Sequence, residues 1–266
     1  MFFNGDKLYM PSSAGYSQSM GFVLAGKGDV LAIDGGTFAE AENFENLLLS
    51  LGGRVDTWFL THAHYDHIDA FVKILTGGKV KVNSVCFNFP PLDFYYSIEK
   101  NVARKECLEE CVALIEKRRI PAIKPTKGER IPVGHFTVTP LSDGTPLGPS
   151  INSSSVVLRV ETSGKPVLFL SDLDGFSEDA VLKDFPDLLR CDIVQVAHHG
   201  QGGASEGFYG AVRPKVCLWP TPEWLWNNDA GEGCGTGPYK TLETRKWMEK
   251  FGAVNYRPER ETIVIE

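Results

Sequence analysis

Short, nearly continuous apolar runs alternate along this chain with longer stretches whose apolar positions recur at helical spacing. Residues 20–33, MGFVLAGKGDVLAI, are two apolar runs around Gly26-Lys27-Gly28-Asp29 and predict a hairpin. Its second strand runs into Asp34-Gly35-Gly36, a strand end where backbone can approach another group closely. Residues 38–51 predict a helix closed by Gly52-Gly53. Trp58-Phe59-Leu60 predicts a buried strand, and Ile68–Leu75 an amphipathic helix with apolar positions 68, 71, 72 and 75. Residues 79–89 alternate like a strand until Pro90-Pro91. Ser97 is placed to cap a helix over Ile98–Arg119, with Pro121 just beyond it. Further strands are expected at 131–141, at 156–160, from Val167 into Ser171-Asp172, at 193–197, at 215–219 and in the final ETIVIE. Helices are expected at 205–212 and at Lys240–Phe251, the latter stopped by Gly252.

Between the strand at 58–60 and the helix at 68–75 lie His62, His64, Asp66 and His67. On an extended segment His62 and His64 point the same way, and a turn into the helix brings Asp66 and His67 round beside them. Imidazole nitrogens and a carboxylate oxygen suit zinc, with manganese and iron as competitors. Half of the six histidines crowd into this one segment, which sets it apart from an ordinary polar loop.

Composition narrows the setting. A hydrophobic fraction of 42% and a charged fraction of 23% over 266 residues are those of a globular protein with a sizeable core. The net charge of −7 does not indicate nucleic acid, although a local basic groove is compatible with it. Lys117, Arg118, Arg119, Lys124, Lys127 and Arg130 form the one basic stretch, expected as a solvated helix end and loop. Six cysteines without a CxxC pair point to reduced thiols in a cytoplasmic protein. No apolar run approaches the ~20 residues that span a bilayer, and MFFNGDKLYM lacks the features of a signal peptide, so no membrane partner is expected. Cys191 and Cys217 read as strand residues of the core rather than nucleophiles. The segment 219–239 is long and glycine-rich, and Trp219, Trp224, Trp226 and Tyr239 either wall a pocket there or cap the core.

His62-Ala63-His64-Tyr65-Asp66-His67 resembles the HxHxDH signature of the metallo-β-lactamase superfamily. The NSSSVVLRV segment at 152–160, the strand ending in Asp172, and Asp192–Gly200 with its HHG ending resemble one branch of it. That branch is the catalytic domain of the DNA-internalisation competence (ComEC-type) proteins and their free-standing relatives. The likeness runs from 20 to 220. It departs at 219–239, and the membrane-spanning part of the competence proteins has no counterpart here. The resemblance implies an α/β (α+β) fold, a four-layer αββα sandwich of two mixed sheets flanked by helices, as one domain over 1–266.

It also implies a site. His62 and His64 would hold a first divalent ion; Asp66, His67 and a histidine of the HHG motif would hold a second, and Asp172 would bridge them. His198 is the favoured ligand as the first residue leaving its strand, with His199 beside the ligands or facing substrate. Asp34 would support the histidine loop. The superfamily's further histidine is absent from its expected place near Asn152, so Asn152 or Ser155 would position substrate or water. His135 lies 37 residues before Asp172 and is expected to be structural. Two ions, zinc first and manganese or iron as alternatives, would give a metal-bound hydroxide at neutral pH, with Asp66 orienting it and accepting its proton. The implied activity is metal-dependent hydrolysis of a phosphodiester or nucleotide-type substrate. The alternatives are a hydrolase of a thioester, lactone or β-lactam, and a non-catalytic or iron-binding redox relative. A small molecule or nucleotide is the expected partner, and the oligomeric state is not legible.

Overall fold

The computed structural model describes residues 2–12, 17–100, 103–259 and 261–266. In chain order the first half gives β1 (Lys7–Met10), β2 (Gly21–Gly26), β3 (Asp29–Asp34), α1 (Ala41–Ser50), β4 (Arg54–Val55), β5 (Thr57–Phe59), α2 (Tyr65–Gly77), β6 (Lys81–Val82), β7 (Val85–Cys86), α3 (Leu92–Ile98), α4 (Cys107–Arg118) and β8 (Ala122–Ile123). The second half gives β9 (Ile131–Val133), β10 (Phe136–Pro140), β11 (Leu158–Glu161), β12 (Val167–Phe169), α5 (Glu178–Asp184), α6 (Pro186–Leu189), β13 (Ile193–Gln195), α7 (Glu206–Val212), β14 (Val216–Leu218), α8 (Glu223–Trp226), α9 (Thr241–Phe251), β15 (Val254–Tyr256) and β16 (Ile263–Ile265).

Two seven-stranded sheets result, in the orders β16-β1-β2-β3-β5-β7-β8 and β15-β14-β13-β12-β11-β10-β9, with a small β4–β6 pair besides. Each large sheet is antiparallel on one side and parallel on the other. The change falls at β3/β5 in the first and at β12/β13 in the second. Strand alternation explains the layering, because successive side chains leave opposite faces. Phe22, Leu24, Ile33 and Phe59 point inward and meet Val138, Leu158, Phe169 and Leu218 of the other sheet. Phe22 and Phe169 lie edge to face with ring centroids 5.1 Å apart. The alternate residues Val23, Ala32 and Trp58 point outward under α1, α2 and α4, while Leu168, Val194 and Cys217 are covered by α5, α7 and α9. The expected four-layer arrangement of helices on two mixed sheets is the one observed.

Three local expectations are corrected. The helix after the histidine cluster begins at Tyr65, not Ile68, so Asp66 and His67 occupy its first turn. Of the helix expected over Ile98–Arg119 only α4 forms, from Cys107; α3 ends at Ile98, and Ser97 lies inside it and donates to the Phe94 carbonyl instead of capping a helix start. In the stretch between α3 and α4, Glu99 meets His64, and Arg104 forks onto both oxygens of buried Asp69 on α2 at 3.2 Å. Residues 79–89 are split between β6 and β7, which belong to different sheets. The basic residues at 117–130 are exposed, Arg118 on the Thr76 carbonyl and Lys127 near Asp184. Within 219–239, Trp219 is buried and Trp226 packs edge-on to it at 5.1 Å, beneath the Arg245 guanidinium. These aromatics cap the core. All six cysteines are free, and burial pushes the thiols of Cys86, Cys107 and Cys217 up to about 12. No helix among the described residues is long and apolar enough to cross a membrane.

Candidate metal centre

The C-terminal ends of β3, β5, β12 and β13 deliver one cluster of side chains from both halves of the chain. Asp34, at the end of β3, takes a left-handed conformation (φ 49°) that turns its carboxylate under the β5–α2 loop. It accepts from the Thr61 amide at 2.8 Å, the Thr61 hydroxyl at 2.7 Å and His67 Nδ1 at 2.8 Å. His67 Nδ1 therefore carries the proton, and its Nε2 lone pair faces into the site. His199 is set in the same way. Its Nδ1–H donates to the Pro220 carbonyl at 2.7 Å, and the Thr221 hydroxyl holds its own carbonyl. His64 Nε2 stands 3.3 Å from Glu99 Oε1, which leaves Nδ1 turned toward His62 Nε2 at 3.1 Å.

These lone pairs converge on Asp172. Its Oδ1 lies 3.4 Å from His67 Nε2 and 3.7 Å from His199 Nε2. Its Oδ2 lies 3.7 Å from His62 Nε2 and 3.6 Å from His198 Nε2. Asp66 Oδ2 adds a contact to His199 Nε2 at 3.2 Å. Hydrogen-bonded N···O pairs sit nearer 2.9 Å, whereas two donors each ~2.1 Å from one tetrahedral ion lie about 3.4 Å apart. Most of these spacings match neighbouring ligands better than hydrogen bonds. His62, His67 and Asp172 form one group able to hold an ion, and Asp66, His67 and His199 a second. His67 Nε2, Asp172 Oδ1 and His199 Nε2 are buried and have no hydrogen-bond partner. Orphaned polar atoms of this kind need an explanation, and a bound cation supplies one. The His/Asp cluster is compatible with a metal site.

The electrostatics agree. Burial works against charge on His67, yet Asp172 and Asp34 on either side hold its imidazole well above the usual histidine value. His199 is raised by Asp172 and Asp66, also against burial. Burial pushes His62 well down, aided by His67 and His64. Burial would raise the Asp172 carboxyl, but His198, His67 and His199 keep it well below the usual range. The centre is a buried anion that draws positive charge toward it, onto the His67 and His199 rings or onto a cation held among them.

The placement differs from expectation in two respects. His199 Nε2, rather than His198, stands beside Asp66 and His67, because Pro220 and Thr221 anchor the second ring of the pair. Ser155 is buried, and its Oγ accepts the Asp172 amide at 3.2 Å. Asn152 donates to His198 Nε2 at 3.2 Å, and its Oδ1 is buried without a partner. His135 belongs to a different cluster, bonded to Asp29 at 2.7 Å and Asp6 at 2.9 Å across the two halves. Sequence reasoning missed three contributors. Ser171 touches Thr61 Oγ1 at 2.6 Å and His62 Nδ1 at 3.2 Å; Gln195 accepts the Ser171 amide; Glu99 orients His64. Ser171 adjoins Asp172, which was a usable signal, but nothing local marks Glu99 or Gln195. Gly200 is required by packing: at φ 82°, a Cβ there would meet the Trp219 ring at 2.2 Å.

Comparison with known proteins follows the same lines. ComE operon protein 3 of Bacillus subtilis (strain 168) is 30% identical over 166 residues, which are 62% of this chain and 20% of that protein. The chain thus matches about a fifth of that relative's length. The metallo-beta-lactamase fold protein YhfI from Bacillus subtilis superposes with a TM-score of 0.58 at 13% identity, covering 99% of this chain and 100% of that one. The CmlA beta-hydroxylase E377D mutant gives a TM-score of 0.59 at 14% identity, covering 98% and 54%. These two likenesses concern the fold. The family model of the metallo-beta-lactamase superfamily matches residues 14–202, a span that holds every residue of the cluster, and the chain belongs to that superfamily.

Proposed function

We propose that this protein is a metal-dependent hydrolase and that its substrate is a phosphodiester of nucleotide type. The observation that carries the hydrolytic reading is the ring of orphaned donors, His67 Nε2, His199 Nε2 and Asp172 Oδ1, buried around one carboxylate. Divalent cations held there, zinc in first place for a nitrogen-rich set and manganese as competitor, supply activation of water at neutral pH and neutralise charge on the attacked oxygen. His62, His64, Asp66, His67, Asp172 and the 198–199 pair are the holding groups. Asp66, partly reachable at 10% side-chain exposure, orients the attacking water and takes its proton. Asp34, Ser171, Ser155 and Glu99 keep these groups in place, and no serine or cysteine nucleophile is called for.

The phosphodiester choice rests on the sequence likeness to ComE operon protein 3 and on the motif order shared with the competence proteins. The fold alone does not choose the chemistry, since a beta-hydroxylase shares it. Turnover of an activated phosphodiester and an activated thioester by metal-loaded protein, with His64→Ala as control, separates the readings. Phosphodiester cleavage lost in the variant is the expected result. Faster thioester cleavage, lost in the same variant, would give the acyl-hydrolase alternative instead. Activity that survives complete removal of metal would overturn both.

A further inference from the structure

We infer that His198 is a direct ligand of the ion held by His62 and His64, so that the adjacent histidines 198 and 199 serve different ions; this rests on the two-ion reading above. Four observations lead there. The two oxygens of Asp172 divide the site: Oδ1 faces His67 and His199, and Oδ2 faces His62 and His198 at nearly equal distances of 3.7 and 3.6 Å. His62 Nε2 and His64 Nδ1 face one another at 3.1 Å while His64 Nε2 is turned to Glu99, which directs the His64 Nδ1 lone pair to the His62 side of the site. Among the described residues, the imidazole and carboxylate donors otherwise on this side are His62, His64 and Asp172 Oδ2, one short of the four donors a tetrahedral ion takes when no water completes the set.

The backbone supplies the fourth observation. His198 and His199 both adopt left-handed conformations, φ 49° and 52°, which non-glycine residues take rarely and in succession more rarely still. In an extended strand, consecutive side chains would leave on opposite faces. The double left-handed turn, pinned by the His198 amide on the Ser171 carbonyl at 2.9 Å, lets both rings approach the same carboxylate. Asn152 Nδ2 at 3.2 Å marks His198 Nε2 as the atom offering its lone pair. With 23% of its side chain exposed, His198 also lies on the open side of the cluster, unlike the fully buried His62, His67 and His199.

The test counts ions. Metal-stripped protein is titrated with zinc alone, bound zinc is measured by elemental analysis, and cobalt(II) absorption reports the ligand field of each site. Wild-type protein is expected to hold two ions, and His198→Ala to bind the second at least about 100-fold more weakly, more than loss of a supporting partner costs. Asn152→Ala is expected to keep both. Adding Asn152→His to His198→Ala returns an imidazole to the gap and is expected to restore the second ion. Should His198→Ala fold poorly, His198→Gln is read in the same way. Two ions at unchanged affinity in the His198 variants overturn the assignment while leaving the two-ion reading intact. Fewer than two in wild-type protein overturns both.

Discussion

At the scale of single residues, Asp34 shows how much one carboxylate decides. It is fully buried and accepts three hydrogen bonds, from the amide and hydroxyl of Thr61 and from His67 Nδ1. Asp34→Ala leaves those donors unpaired in the interior, at a cost of about 2–4 kcal/mol, readable as a lower denaturant midpoint. Asp34→Asn keeps the shape and loses the charge that fixes the His67 tautomer. Metal affinity is expected to fall 10–100-fold with little change in fold, and unchanged metal binding would show that Asp34 does not govern the ring. Away from the site, Asp29 carries a pH signal. Its hydrogen bonds from His135, side chain first and amide next, lower its carboxyl below the usual value, with Arg54 adding a little. A carboxyl lowered in the folded state contributes stability above its unfolded pKa of ~3.9, and that contribution is lost as pH falls through the folded value. Asp29→Asn should therefore cost stability at neutral pH, and the gap to wild type should narrow below about pH 4. A gap that stays constant from pH 7 to 3 would rule this out.

At the scale of elements, α2 joins the site to the core. Its first turn holds Asp66 and His67, and its buried face carries Ile68, Phe71, Val72 and Leu75 against Trp58 and α4. Phe71 lies edge to face with Trp58 at 5.0 Å and is wholly buried. Phe71→Ala should cost about 3–5 kcal/mol by cavity formation, seen as a lowered midpoint in urea. A loss below 1 kcal/mol would mean that the helix collapses onto its neighbour. The apolar stripe at 68, 71, 72 and 75 was legible because burial on one helix face imposes the 3.6 period. The hairpin at 20–33 was legible because alternation and turn glycines agree there. The late helix start at Cys107 was not: before it Arg104 answers Asp69 and Glu99 answers His64, partners 35 residues away in each case that no local pattern records. Which of His198 and His199 stands beside Asp66 was not legible either. Strand alternation governs only extended backbone, and both residues are left-handed. The HxHxDH cluster itself was readable because its members are near neighbours. Ser171, Gln195 and Glu99 were not, because their chemistry depends on which strand end or helix end meets which.

At the scale of the whole molecule, the site is a seam. His62, His64, Asp66 and His67 come from the first half of the chain and Asp172, His198 and His199 from the second. Beneath them the Val156 amide donates to the Thr61 carbonyl at 2.9 Å, and Thr61 meets Ser171 at 2.6 Å. An ion bound across the seam is a ligand of the folded state that the unfolded chain cannot match, so it stabilises the fold by mass action, by ~2.7 kcal/mol when free metal is one hundred times Kd. For a chain of this length that corresponds to a rise in Tm of about 5–10 °C. Chelation is expected to lower the midpoint by that amount, and zinc or manganese to restore it. Asp172→Asn discriminates the cause, because it removes the charge that faces His62 and His198 on one side and His67 and His199 on the other while keeping the side chain's shape. In that variant the metal-dependent shift should largely vanish, and the metal-free midpoint should move far less than the holo midpoint. If chelated and metal-loaded wild-type protein unfold at the same temperature, no ion spans the two halves. The orphaned nitrogens of His67 and His199 would then need some other cation, of which a proton on each ring is the simplest.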